Sequence, residues 1–195
     1  MGQEVLPRDN TLVQVALVEL RCAIATTWLL IRRRLWLPRS RVGGEVRFGD
    51  GSTSRIYRET ALRDPGSDPK VMLVVRFRLR FIGTSRLGHA LFRFESLFNT
   101  LLFAAHPGFH TKLWLTDLDT GFYRGIYEWQ DRGSAVEYAE TLRVVLSPWT
   151  EDGSFAFRVI DTTRDDLFAG LEADQIEASS SEWWLPEPQR HVAVG

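Results

Sequence analysis

The sequence predicts an α+β fold, a four-stranded antiparallel sheet with two helices on one face. Three observations predict it. Between residues 70 and 171, period-two and period-3.6 hydrophobic segments follow in the order strand, helix, strand, strand, helix, strand. Turn chemistry separates them, at Gly83–Ser85, His106-Pro107-Gly108, Asp117–Gly121 and Ser147-Pro148. Hydrophobic residues make up 44% of the 195, enough to build a sizeable core.

The first strand is predicted over residues 71–82, where Val75, Phe77, Leu79 and Phe81 alternate with Arg76, Arg78 and Arg80. Leu87, Ala90, Leu91, Phe94, Leu97, Phe98, Leu101 and Leu102 then recur at helical spacing. Residues 109–116 and 122–129 read as the second and third strands. A second helix starts near Asp131 or Ser134, where Ser134–Glu137 has capping-box spacing. Its apolar stripe is Ala135, Tyr138, Ala139, Leu142 and Leu146. Residues 154–161 form the fourth strand, and a short helix is predicted over 165–171. This order leaves the sheet face opposite the helices uncovered by its own chain.

Residues 1–69 form an N-terminal extension. Residues 12–31 hold only two charges, Glu19 and Arg21, and Arg32, Arg33 and Arg34 follow at once. Three readings stay open: a packed helix, or a strand over residues 12–20 followed by a helix; a segment lying on a membrane surface through residues 11–41; and a spanning helix. The two charges, at roughly 2.5–3.5 kcal/mol each, argue against spanning. The positive cluster follows the apolar run, the reverse of a signal peptide. A hairpin is predicted around Asp50-Gly51, between residues 45–48 and 54–58. Residues 64–69 (DPGSDP) read as a linker, giving a core domain over 70–171. Residues 172–195 read as an extended or disordered tail in which Trp183-Trp184 is a docking candidate.

Composition narrows the function. Lys and Arg number 24 against 25 Asp and Glu, a net charge of -1, so no nucleic-acid partner is expected. Cys22 is the single cysteine, which excludes an intrachain disulfide and a thiolate zinc cluster, and suits a reduced cytoplasmic protein. There is no phosphate-binding glycine loop, no zinc-ligand spacing and no nucleophile elbow. No metal and no cofactor are expected.

The segment 106–142, HPGFHTKLWLTDLDTGFYRGIYEWQDRGSAVEYAETL, resembles the YdhR-like monooxygenases, a branch of the dimeric α+β barrel superfamily that includes antibiotic-biosynthesis monooxygenases. The features that match are Pro107-Gly108-Phe109, Lys112-x-Trp114, Gly125-Ile126-Tyr127, and Asp131 opening a helix with Ser134-Ala135 and Tyr138. The resemblance implies a ferredoxin-like βαββαβ core and a homodimer packed sheet to sheet. It also implies a pocket in the barrel, or between sheet and helices, for a small-molecule substrate. Haem-degrading members of the superfamily use an asparagine on the first strand. Here that strand carries Arg76, Arg78 and Arg80, and asparagine occurs only at Asn10 and Asn99.

Candidate site residues follow. By strand parity His110, Lys112 and Trp114 share one side, and a histidine beside a tryptophan suits proton abstraction from a phenolic or enolic substrate. His110 and Trp114 are therefore the catalytic candidates, with an interface role for His110 as the alternative. Arg76, Arg78, Arg80 and Arg124 are candidates for holding an anionic group. The alternative is ion pairing, for instance to Glu128 or Asp161. Tyr127 and Glu128 complete the substrate-binding set, with a core role open for Tyr127. The expected function is a cofactor-independent monooxygenase or cyclase-like enzyme of secondary metabolism, acting on an aromatic or enolisable, polyketide-like substrate. The alternative is a non-catalytic ligand-binding or scaffolding dimer, with membrane-peripheral attachment open for either.

Overall fold

The computed structural model describes residues 35–63, 65–80, 106–117, 119–168 and 182–187. The apolar run at 12–31, the helix predicted over 87–102 and most of the tail lie outside the described residues.

Residues 71–75 are apolar on both faces, as a strand buried from both sides requires. They open β4 (Val71–Arg78), which lies between β6 (Phe122–Trp129) and β7 (Ala156–Ile160), antiparallel to both. β5 (Phe109–Thr116) forms a hairpin with β6 across Asp117–Gly121, where Asp117 accepts from the backbone of Asp119 and Thr120. Gly121 there takes φ 74°, a conformation costly for residues with a Cβ. The order β5-β6-β4-β7 is that of the predicted split βαβ core, and the α+β class holds.

The predicted hairpin also forms, from β2 (Glu45–Arg47) and β3 (Thr53–Leu62). β3 is longer than predicted and pairs with β5, so the sheet continues into the N-terminal extension. The short β1 (Leu35–Trp36) pairs with the far end of β3, and the described residues form a seven-stranded sheet.

α1 (Arg132–Leu146) packs on one sheet face through Ala135, Tyr138, Ala139 and Leu146. Its N-cap is Asp131, which accepts from the Ser134 backbone at 2.9 Å and the Ser134 hydroxyl at 2.9 Å. Such a cap contributes about 1 kcal/mol. Beneath α1 lie Val71, Leu73, Val75, Tyr127 and Trp129.

The opposite face corrects the sequence reading, because its own chain covers it. Met72, Val74, Leu113, Leu115 and Ile126 form a second core with Phe48 from the β2–β3 turn. Leu167 of α2 (Arg164–Phe168) and Trp184 join it. Trp184 is held by the segment 182–187, which is tied down by Gly49 N to Leu185 O (2.9 Å) and Glu187 N to Arg47 O (2.8 Å). Hydrophobic period reports which side of a strand is apolar, but not which distant residue will cover it.

Candidate functional site

The structure divides the candidate residues between the two sheet faces. Trp114 and Tyr127 lie on the α1 face. Alternation along β4 and β6 places Arg76, Arg78, Arg124 and Glu128 on the other.

The arginine row is ion-paired, with partners other than those the sequence suggested. Arg76 lies 3.7 Å from Asp50, Arg78 3.3 Å from Glu151, and Arg80 2.8 Å from Asp152. Arg124 is buried and donates to Ser54 and Ser52 hydroxyls at 2.7 Å each and to Asp50 at 3.2 Å. It pins the β2–β3 turn to the sheet. Burial lowers its basicity, and Asp50 and Asp117 partly offset that. Glu128 belongs to a separate buried cluster. Its carboxylate accepts from the Thr111 hydroxyl at 2.6 Å and the Arg164 backbone at 3.2 Å. The Arg164 guanidinium lies 3.3 Å from Glu128 and 3.7 Å from Glu59.

His110 leaves the alternation the sequence suggested. The β5–β6 register shifts between Phe109 and Thr111, so the bulge falls on His110 and its parity no longer follows Lys112 and Trp114. Burial pushes its imidazole below the usual range, and the charges of Glu128 and Asp68 partly restore it. Among the described residues no hydrogen bond or ring contact joins His110 to Trp114.

On the α1 face a cation–aromatic stack is built from neighbouring strands. β3 register sets Arg58 beside Trp114 and Thr60 beside Lys112. The Arg58 guanidinium lies 3.8 Å from the Trp114 ring centre, and the Lys112 ammonium nitrogen 3.0 Å from it. Lys112 also stands 4.6 Å from the Tyr127 ring. Trp114 is held in orientation by its indole N–H, which donates to the Thr60 hydroxyl at 3.0 Å. Tyr127 and Tyr138 bring their hydroxyls to 3.3 Å. Gly125 makes room for Tyr127: a Cβ there would sit 2.5 Å from Tyr127 Cε2.

Burial shapes the chemistry of this stack. It pushes Lys112 well below the ordinary amine range, and the neighbouring Arg58 charge adds to the effect. It lowers Arg58 to about 10, against partial recovery from Tyr57 and Tyr127. The Tyr127 phenol is pushed up by burial, which keeps it a neutral donor.

A cavity of about 370 Å³ adjoins the stack. β1 and β2 pair with opposite ends of β3, and a register shift between Ile56 and Arg58 falls between them. The cavity lies along this stretch, lined among the described residues by Leu37, Pro38, Arg39, Val42, Tyr57 and Arg58. Arg58 thus contacts both the cavity and the Trp114 ring. Sequence reasoning missed Arg58 because it lies outside the 106–142 resemblance, on a strand whose pairing with β5 had no local signal. Among the described residues no group of three or more His, Cys, Asp or Glu converges as a metal site.

No family model matches the sequence, and no curated protein matches it. Similar solved structures include an uncharacterized ferredoxin-fold protein related to antibiotic biosynthesis monooxygenases from Listeria monocytogenes. It has a TM-score of 0.44 and 12% identity, over 58% of this chain and 66% of that one. A monooxygenase-like protein from Listeria innocua has a TM-score of 0.41 and 12% identity, over 58% and 66%. A heme-degrading enzyme from Listeria monocytogenes has a TM-score of 0.41 and 9% identity, over 66% of this chain and 99% of that one. The chain thus spans just under two thirds of the length of the first two.

Proposed function

We propose that the protein is a monooxygenase-like enzyme acting on an aromatic, enolisable substrate, without a cofactor, at the Arg58–Trp114–Lys112 stack. The observation that carries this reading is the placement of Arg58, stacked on Trp114 and lining the cavity. A flat aromatic substrate in the cavity meets the Tyr57 ring and the apolar walls of Leu37, Pro38 and Val42. The Arg58 guanidinium stabilises the enolate oxygen that forms when a C–H conjugated with a carbonyl loses its proton. The proton passes to solvent water through the open cavity, because Lys112 contacts the Trp114 ring and not the cavity wall. Dioxygen takes up the carbanion's electron pair. The peroxide, reprotonated, loses water to leave a new carbonyl, so a CH2 and O2 become C=O and H2O.

The test is oxygen uptake and quinone formation from a hydroxylated anthrone by the purified protein, with matched variants. Arg58→Met is expected to lower the rate by about 10²–10³-fold, the usual worth of a donor to a developing oxyanion. His110→Ala is expected to leave it within a few-fold. Equal turnover by wild type and Arg58→Met would overturn the assignment of the oxyanion donor. Quinone formation no faster than in buffer across a panel of enolisable aromatics would overturn the enzyme reading.

A further inference from the structure

The turn between β1 and β2 presents apolar side chains to solvent. Trp36 is 43% exposed, Leu37 50% and Val42 41%. Isolated exposed apolar residues are ordinary, but these three belong to one short stretch of chain, and Leu37 and Val42 line one cavity. Basic groups surround them. Arg39 is exposed and lines the same cavity, and the Arg63 guanidinium lies 5.6 Å from the Trp36 ring.

The charge of this part of the chain is one-sided. Residues 32–63 contain nine arginines against Glu45, Asp50 and Glu59, a net of +6, while the whole chain is -1. Two of those acids are occupied inside the fold, Asp50 by Arg76 and Arg124, and Glu59 by Arg41 and Arg164. In the sequence Arg32, Arg33 and Arg34 precede this turn, and before them residues 12–31 hold only two charges.

We infer that the face around Trp36, Leu37, Arg39, Val42 and Arg63 docks on the surface of an anionic lipid bilayer. Tryptophan favours the headgroup level, where its ring is buried and its N–H stays hydrated. Leu37 and Val42 gain from contact with acyl chains, and arginines near an anionic leaflet contribute about 1 kcal/mol each. A second copy of the chain is disfavoured, because the Arg39 and Arg63 guanidinium groups of the two faces would be brought together. A nucleic acid matches the charge but offers nothing to the exposed aliphatic side chains. The contact inferred for this face is peripheral, and among the described residues no helix is long and apolar enough to cross a membrane. Where the proposed function holds, the cavity opens on this face and a lipophilic aromatic reaches Arg58 from the bilayer; docking itself does not depend on that function.

The test is flotation of the full chain with vesicles of phosphatidylcholine alone, or mixed with phosphatidylglycerol, at low and high salt. Binding is expected to the anionic vesicles only, and to weaken with salt. Trp36→Ser and Arg63→Ser, neither of which lines the cavity, are each expected to weaken it by about tenfold with an unchanged circular dichroism melt. No binding, equal binding to both vesicles, or binding untouched by the variants overturns the inference. So does loss, in the same variants, of self-association or of RNA binding in a protein that ignores vesicles.

Discussion

Replacing Arg164 by methionine is expected to remove about 3–5 kcal/mol of folding stability. Arg164 is 4% exposed and its guanidinium faces two buried carboxylates, Glu128 at 3.3 Å and Glu59 at 3.7 Å. It also donates to the Thr111 hydroxyl at 3.1 Å. Methionine fills much of the same volume, so the cavity contribution is small and the electrostatic one dominates. What remains is Glu128 in low dielectric without its guanidinium, beside Glu59, which keeps Arg41 at 3.3 Å. The loss corresponds to a fall of roughly 6–20 °C in Tm for a chain of this size. Urea unfolding of wild type, Arg164→Met, Glu128→Gln and the double variant measures it. The second substitution should restore part of the loss, with a coupling of about 0.5–3 kcal/mol. A loss for Arg164→Met below about 1 kcal/mol, the worth of an exposed ion pair, would refute the buried-cluster reasoning.

Two further outcomes follow from the α1 face. Gly125→Ala should cost about 1–3 kcal/mol, because the added methyl meets the Tyr127 ring in a closed core; a variant as stable as wild type in urea would show that the ring has room to move. Lys112 has a folded-state pKa below its ordinary 10.5, so between those values the unfolded chain binds more protons and stability rises with pH. Lys112→Met removes that dependence, and its stability advantage should be greatest at low pH and shrink as pH approaches about 10.5. A difference in Tm that does not change with pH would contradict the burial effect.

The local elements were legible because their signals are local. The alternation of Val75 and Phe77 with Arg76 and Arg78, the Asp50-Gly51 turn, and the α1 stripe through Ala135 and Tyr138 all depend on near neighbours in sequence. The strands β5 and β6 fall where the pattern placed them. Only part of the candidate site could be read in this way. One inserted residue at His110 undoes a parity argument, and a bulge leaves no composition signature. Arg58 joins Trp114 through β3–β5 pairing, across more than fifty residues of chain, and no periodicity within either strand announces its partner. The same limit hid Glu59, Glu128 and Arg164, three charged residues from three elements whose burial makes sense only once they meet.

The docking of Trp184 also has a consequence for how the chain is made. Phe48 and the strands beneath it are synthesised before Trp184, which completes their cover. Until that segment leaves the ribosome, Met72, Val74 and Ile126 lack part of their lid. A chain that stalls or is cut before Trp184 therefore presents an apolar sheet surface to the cell, and such chains are the ones expected to be held by chaperones or to aggregate.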